Sequence, residues 1–174
     1  ANRHPRVNIL NPGPGVGGHC IAVDPWFIVD SAPLAARLIR TAREVNDGKP
    51  EWVLDKIAEA VAGARSRLGR DVVVACLGLA FKANIDDLRE SPSLEIAKQL
   101  SERRVADQLL VVEHYVEALP MDLQGRIGVD LVELDTALAE ADLVVLLVDH
   151  QQFKAVSREV LSGKAVIDTR GLWR

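Results

Sequence analysis

The part of the chain after residue 70 alternates short apolar runs with segments of helical spacing. The apolar runs are 71–78, 108–115, 141–149 and 165–169, with a weaker run near 126–129. Helices are predicted over 91–103, 134–141 and 151 to about 161. Strands that lack strict polar alternation and are separated by helices are typical of a parallel sheet covered on both faces. This part therefore predicts an α/β fold, a Rossmann-like doubly wound parallel sheet, with ligands at the carboxyl ends of the strands.

Two adjacent helices are predicted before this sheet. Leu34, Leu38 and Val45 recur at helical spacing, and a second run of the same kind extends from Trp52 to Val61 after a break at 46–50. Apolar faces of this size need a partner, which is either the following domain or a second copy of the chain. The polar, glycine-bounded stretch 63–70 is predicted to be a linker.

Composition excludes several classes of function. The chain has 21 basic and 25 acidic residues without a basic block, which argues against nucleic-acid or anionic-membrane partners. The longest apolar run, 143–148, is far shorter than the roughly 20 residues that span a bilayer. The start of the chain has no signal-peptide core, and Cys20 and Cys76 make no disulfide framework. A cytoplasmic protein with two free thiols is expected.

The stretch PGPGVGGHCIAVD at 12–24 is the first candidate site. Its glycines can expose backbone N–H groups to an anion, and Cys20 directly follows them. Asp24 comes four residues after Cys20, on the same face if the two form a helical turn. The residues alone leave open whether Cys20 is a reactive thiol or a small buried hydrophobic residue. A metal site is disfavoured, because adjacent residues such as His19 and Cys20 rarely coordinate one ion.

The loop GLAFKANIDDLRESP at 78–92 is the second candidate, since it follows the first predicted strand. It has too few glycines for a dinucleotide fingerprint. Lys82 and Arg89 suit a phosphate or a carboxylate, with acidic residues between them. On these residues alone, a binding loop and a solvated surface loop are equally compatible with the sequence.

Three long stretches carry a resemblance to a known family. They are NPGPGVGGHCIAVDPWFIV (11–29), ARLIRTAREVNDGKPEWV (36–53) and CLGLAFKANIDDLRESPSLEIA (76–97), supported by VDHQQFK (148–154) and IDTRGLWR (167–174). In this order and spacing they resemble the UDP-glucose/GDP-mannose dehydrogenase family. The resemblance implies oxidation of the C6 alcohol of a UDP-sugar to a carboxylate, with two NAD molecules consumed in turn. It implies that Cys20 is the nucleophile, forming a thiohemiacetal and then a thioester, and that Asp24 helps to position or activate water.

The resemblance also assigns binding residues. It implies that the UDP-sugar contacts His4, Arg6, Gly17, Phe81, Lys82 and Arg170. Arg89 is expected to touch NAD, and no metal is implied. The helices at 33–64 are expected to form a homodimer.

The same resemblance predicts the domain organisation. Residues 1–30 would be the catalytic-cysteine loop at the end of a central domain, 31–68 a helical dimerisation segment and 69–174 a C-terminal UDP-sugar-binding domain. The family's NAD-binding domain and catalytic lysine would lie upstream of residue 1, so the chain is expected to be an inactive fragment. The alternatives are a 6-dehydrogenase for another UDP-sugar, with glucose or N-acetylglucosamine as the sugar, or a nucleotide-sugar-binding or dimerisation module without catalysis.

Overall fold

The computed structural model describes Arg6 and residues 11–173, which form three helices followed by an α/β unit. The elements in chain order are α1 (Asp24–Ser31), α2 (Arg37–Asp47), α3 (Lys49–Leu68), β1 (Val73–Leu77), α4 (Pro92–Glu102), β2 (Gln108–Val112), β3 (Val129–Leu131), α5 (Leu134–Glu140), β4 (Leu143–Leu146), α6 (Gln151–Lys154) and β5 (Ala165–Asp168).

The five strands form one parallel sheet in the order β3-β2-β1-β4-β5. In register, Leu77 of β1 pairs with Val112 of β2 on one side and with Leu146 of β4 on the other. The chain moves outward in one direction through β2 and β3, then returns to the other side of β1 for β4 and β5. The junction between β1 and β4 is therefore a topological switch point, and the predicted doubly wound parallel sheet is confirmed.

Alternate residues of the strands build two cores. Val74 and Cys76 of β1 face the layer of α3 and α4, whereas Ala75 and Leu77 face the layer of α5 and α6. Cys76 is completely buried, and this burial raises the pKa of its thiol to about 12. Cys76 is therefore the small buried hydrophobic residue that the strand pattern indicates.

The linker predicted at 63–70 is wrong, because α3 continues to Leu68. One face of α3, including Val53, Ile57 and Val61, is buried against the sheet. Packing of that face stabilises the helix and outweighs the weak helix propensity of Gly63. The second predicted helix thus finds its partner in the following α/β unit.

Three boundaries also differ from the predictions. Helix α1 was not predicted, although Asp24 and Pro25 are ordinary residues for a first helical turn. Helix α2 begins at Arg37 rather than near residue 33, after a turn at 32–36. Helix α6 ends at Lys154 instead of near 161, and the following residues form turns.

No helix among the described residues has the length and apolar character that a membrane crossing requires.

Candidate active site

A cleft opens at the switch point of the sheet, where the loop after β1 approaches the end of β4. Its volume is about 430 Å³. We call it the switch-point cleft, and its walls include Val16, Gly17, Phe81, Lys82, Asp149 and Arg170. Ligands of open α/β sheets bind at this position, outside the carboxyl ends of the strands. Four of the predicted substrate residues, Gly17, Phe81, Lys82 and Arg170, therefore share one cleft.

The glycine-rich segment 11–18 packs against the loop after β1. The Gly18 N–H donates to the Arg89 carbonyl oxygen at 3.2 Å. A side chain at Gly17 would collide with the carbonyl oxygen of Glu90, so this close approach requires glycine. The glycines thus bring two backbone segments together at the mouth of the switch-point cleft.

Asn46 of α2 clamps the same segment from the other side. The Val16 N–H donates to Asn46 Oδ1 at 2.8 Å, and Asn46 Nδ2 donates back to the Val16 carbonyl oxygen at 3.3 Å. The pair imitates the two hydrogen bonds of a short strand pairing. It couples the position of the glycine-rich segment to the end of α2.

Lys82 has an ammonium that is exposed and available for a ligand. Within residues 11–173, no hydrogen bond or ion pair engages its Nζ atom. Phe81 is half-buried, its ring lies against Gly18, and its N–H donates to the Asp87 carbonyl oxygen at 3.2 Å. The loop therefore places an aromatic face and a positive charge side by side in the switch-point cleft.

Arg170 is set in place by the end of β5. Asp168 accepts the N–H of Arg170 at 2.9 Å and that of Trp173 at 2.8 Å, which folds the last residues back over the sheet. Arg170 NH2 lies 2.7 Å from Asp149 Oδ1. This is a charge contact without aligned hydrogen-bond geometry, because Asp149 Oδ1 has no hydrogen-bond partner among the described residues. Arg170 Nε is also buried and without such a partner there, so the Arg170 charge is held beside Asp149 in the wall of the switch-point cleft.

Arg89 lies in a different place from Lys82. It lines a neighbouring cleft of about 540 Å³, together with Arg43 and Asn46. Val16 lines both clefts, so the glycine-rich segment forms the wall between them. Arg89 Nε also donates to Asp87 Oδ1 at 2.9 Å, and this hydrogen bond lowers the pKa of Asp87 to about 2. The structure thus separates the residue predicted to touch NAD from those predicted to touch the substrate.

Cys20 is exposed on a turn that leads into α1. Its carbonyl oxygen accepts the N–H of Val23 at 3.1 Å and that of Asp24 at 2.8 Å. Cys20 and Asp24 are thus one turn apart, as their spacing predicts. Asp87 is the main cause of the raised pKa of Arg89, through its hydrogen bond and charge, and the charge of Cys20 adds a smaller effect.

Two predicted substrate residues, His4 and Arg6, lie near the start of the chain. His4 lies outside the described residues, and Arg6 is exposed. The described residues contain no group of three or more His, Cys, Asp or Glu side chains that can hold a metal ion.

Sequence reasoning missed several polar residues that build the site. Asp149 and Asp168 lie at the carboxyl ends of the predicted strand runs 141–149 and 165–169, so the rule that sites lie at the carboxyl ends of strands was a usable signal. Asn46 was interpreted only as a helix interruption, and no local pattern indicates that its side chain grips Val16. Buried Glu113 and His150 were also missed, because their burial depends on contacts between distant segments.

Comparisons with known proteins identify the family of this chain and agree with the observed fold. Residues 75–174 match the UDP binding domain, and residues 1–48 the central domain, of the UDP-glucose/GDP-mannose dehydrogenase family. The NDP-N-acetyl-D-galactosaminuronic acid dehydrogenase of Ralstonia nicotianae is 59% identical over 99% of this chain and 39% of its own length. The UDP-N-acetyl-D-mannosamine dehydrogenase of Salmonella typhi is 57% identical over all of this chain and 41% of its own length.

A solved structure shows the same architecture. The UDP-D-ManNAc dehydrogenase of Pyrococcus horikoshii matches all of this chain and 39% of its own chain, with 30% identity and a TM-score of 0.74. The chain spans about two fifths of the curated relatives it matches. The resemblance inferred from the motifs is confirmed: this chain belongs to the UDP-glucose/GDP-mannose dehydrogenase family.

Proposed function

We propose that this chain is the C-terminal part of a UDP-N-acetyl-D-mannosamine 6-dehydrogenase, which oxidises the sugar C6 alcohol to a carboxylate with NAD. The observation that carries the proposal is the switch-point cleft, which combines the aromatic ring of Phe81 with the cationic groups of Lys82 and Arg170. A diphosphate needs positive charge and N–H donors, and a base or sugar ring packs on an aromatic face. The cleft offers both, and Phe81, Lys82 and Arg170 lie within the segment that matches the family's UDP binding domain.

In this proposal the thiol of Cys20 performs covalent catalysis. The Cys20 thiolate adds to the C6 aldehyde formed in the first oxidation, which gives a thiohemiacetal. The thiohemiacetal then gives a thioester when its hydroxyl loses a proton to solvent and C6 loses a hydride, for which NAD would be the acceptor. Attack of water on the thioester carbonyl carbon releases the carboxylic acid and returns the thiolate. Asp24, one turn away, positions the water or accepts its proton.

NAD supplies the hydride acceptor for both oxidations when it is bound. Arg89, in the neighbouring cleft, is the residue of this chain that we propose to contact its phosphates. The loop after β1 lacks a dinucleotide fingerprint. We therefore place the main NAD site and the catalytic lysine of the family in a domain upstream of residue 1.

The sugar is the finer part of the proposal. The relatives reported above act, by their names, on N-acetylmannosamine or N-acetylgalactosaminuronic acid derivatives, so N-acetylated amino sugars are favoured. The second candidate is the same reaction on another UDP-sugar such as an N-acetylgalactosamine derivative. A non-catalytic nucleotide-sugar-binding or dimerisation module is the third, and enzyme turnover separates it from the first two.

The remaining proposals concern assembly and location. We assign residues 1–30 to the cysteine loop, 31–68 to the dimerisation segment and 69–174 to the UDP-sugar domain. Leu34 and Leu38 expose 90% and 81% of their surface, which favours a homodimer through the first part of residues 33–64. A reducing cytoplasm would keep the exposed Cys20 as a free thiol.

Titration of UDP into the chain by calorimetry tests the cleft. Lys82→Ala should weaken UDP binding by about 1–3 kcal/mol, because a charge-assisted hydrogen bond to phosphate is lost. Lys56→Ala is the matched control, since Lys56 pairs with Glu59 on the exposed side of α3. Equal UDP affinity in Lys82→Ala and the unchanged chain would show that Lys82 does not contribute to UDP binding.

Absorbance of NADH tests the reaction. The chain alone, given UDP-N-acetylmannosamine and NAD, should produce no NADH, whereas the longer protein that we propose should turn over. In that protein Cys20→Ala should abolish acid formation, and Cys20→Ser should retain at most slow first-step oxidation. Sustained turnover by the chain alone would contradict the proposal that the main NAD site lies upstream of residue 1. Acid formation by Cys20→Ala would contradict the proposal that the Cys20 thiol is the nucleophile.

A further inference from the structure

Glu113 and His150 form a buried polar pair beneath the loop that carries Phe81 and Lys82. Glu113 follows β2, His150 follows β4, and these strands flank β1. Glu113 is 4% exposed and His150 is completely buried. His150 Nε2 lies 3.1 Å from Glu113 Oε2. The pair therefore spans the sheet directly under the start of the loop after β1.

The Glu113 carboxylate binds the beginning of that loop. Its Oε2 atom accepts the N–H of Leu79 at 2.6 Å and the N–H of Ala80 at 3.0 Å. Its Oε1 atom accepts the N–H of Tyr115 at 3.2 Å. Burial opposes ionisation of Glu113, but the hydrogen bonds from His150 and Leu79 outweigh it and lower the pKa. Glu113 is thus held as a carboxylate whose acceptor sites are filled by the loop.

His150 binds the end of the same loop. Its Nδ1 atom lies 2.9 Å from the backbone nitrogen of Asn84. A backbone N–H can only donate, so Nδ1 must be the acceptor and Nε2 must carry the proton that points to Glu113. The Asn84 side chain accepts the N–H of Gln151 at 2.8 Å, which ties it to the same turn as His150. The loop is therefore held at both ends.

This arrangement is costly for a purely structural core. A buried carboxylate and imidazole lose their hydration, and an apolar pair of similar size would fill the space without that cost. What the polar pair adds is three hydrogen bonds to loop backbone, at Leu79, Ala80 and Asn84. Between these anchors stand Phe81 and Lys82, the residues that face the switch-point cleft.

We infer that Glu113 and His150 are positioning residues: together they brace the backbone of loop 79–84 and so determine where Phe81 and Lys82 stand in the switch-point cleft. The inference rests on the proposed function for its ligand, UDP. Neither side chain is required to touch that ligand. Loss of the brace should weaken UDP binding through the loop, even when the rest of the fold is intact.

The test combines amide hydrogen exchange of the loop with calorimetric titration of UDP. Each substitution should raise amide exchange at the backbone that the replaced side chain binds, which is Asn84 for His150→Leu and Leu79 and Ala80 for Glu113→Gln. Each should also weaken UDP binding by about tenfold, the cost of one buried hydrogen bond. His150→Gln should restore slow exchange and most of the affinity. Its amide oxygen can accept from Asn84 while its amide nitrogen donates to Glu113.

Leu138→Ala is the control for general destabilisation. Leu138 is buried on α5 in the core that faces away from α3, so its truncation lowers the melting temperature without removing a loop contact. It should leave loop exchange and UDP affinity near those of the unchanged chain. A role of Glu113 and His150 in stability alone would make Leu138→Ala and His150→Leu behave alike at matched loss of melting temperature.

The outcomes separate this inference from the proposed function. Unchanged loop exchange in His150→Leu and Glu113→Gln overturns the brace, and so does fast loop exchange with unchanged UDP affinity. If the unchanged chain fails to bind UDP, the proposed function is contradicted. Loop exchange in the two variants then decides by itself whether the pair holds residues 79–84.

Discussion

Helices α2 and α3 have similar apolar spacing in the sequence, but the large apolar side chains of α2 are mostly exposed and most of those of α3 are buried. Ile57 of α3 is completely buried against the sheet, whereas Leu38 and Val45 of α2 expose 81% and 71% of their surface. Periodicity shows that a helix has an apolar face, and it does not show what covers that face. For α3 the cover is the following sheet, and for α2 nothing among the described residues provides it.

The two cysteines repeat this contrast. Cys76 lies within β1, in the core, whereas Cys20 lies on an exposed turn beside the glycine-rich segment. Cys20 and the face of α2 that carries Leu38 and Val45 are thus exposed, whereas Cys76 and the face of α3 that carries Ile57 are buried. The difference separates the residues of the two proposed roles: Phe81 and Lys82, proposed for binding, stand on a packed sheet, whereas Cys20, the proposed nucleophile, lies on a segment held by few contacts.

The largest expected effect concerns the thiols. At pH 8 iodoacetamide should label Cys20 and spare Cys76. With a pKa of about 12, the thiolate fraction of Cys76 is about a thousandfold below that of an ordinary thiol, and burial blocks access as well. Peptide mapping by mass spectrometry measures both sites. Cys20→Ala should abolish labelling, and Cys76→Ala should leave it unchanged. Rapid labelling of Cys76 in the folded chain would contradict the expected difference between the two thiols.

A matched pair of substitutions tests the two helices next. Ile57→Asp buries an unpaired charge in the core and should cost more than about 4 kcal/mol of folding free energy, as urea denaturation would measure. Leu38→Asp should leave the stability of the monomer within about 0.5 kcal/mol, because the side chain is exposed.

Leu38→Asp should instead dissociate the proposed dimer, which sedimentation velocity would detect. Met121→Asp is the control on the α/β unit, because Met121 is 87% exposed but lies outside α2. If the Leu38→Asp variant sediments as the unchanged chain does, this face of α2 is not part of a dimer interface.

The smallest expected effect concerns the clamp between the two regions. Asn46→Ala removes both hydrogen bonds to Val16 and should free the glycine-rich segment at a cost of about 1–2 kcal/mol. Amide exchange at Val16 should rise, while exchange in β1 should stay unchanged. Asn46→Asp keeps the acceptor for the Val16 N–H and should retain part of the protection. Equal protection of Val16 in all three chains would show that packing at Gly17 holds the segment without Asn46.

Much of the fold followed from local patterns. The strand runs predicted β1, β2 and β4 because these strands are buried on both faces and are almost entirely apolar. The edge strand β5 was predicted as well, whereas the weak run near 126–129 meets β3 only at Val129. Helix α1 and the end of α6 were missed, since the buried and exposed positions of 24–31 and 151–161 depend on neighbours far along the chain. Gly63 suggested a linker, but packing of α3 on the sheet outweighed the local signal.

The candidate site divides in the same way. Lys82, Arg89, Cys20 and Asp24 were singled out from the residues themselves, whereas the resemblance supplied Phe81, Gly17 and Arg170. The assignment of substrate and NAD contacts stays a prediction. The separation of Lys82 and Arg89 into two clefts, with Val16 in the wall between them, was not apparent from two residues seven positions apart on one loop.

By itself, the sequence determined most of the elements, the parallel sheet, the family and the residues able to do chemistry, because these depend on periodicity, composition and motif spacing. The tertiary structure alone decided which apolar face is covered, which thiol is exposed, and how Glu113 and His150 support the loop of Phe81 and Lys82. The physical reason is that burial and hydrogen-bond partners are properties of contacts between distant segments. Glu113 and Leu79, for example, are 34 residues apart and meet only because β1 and β2 are neighbours in the sheet.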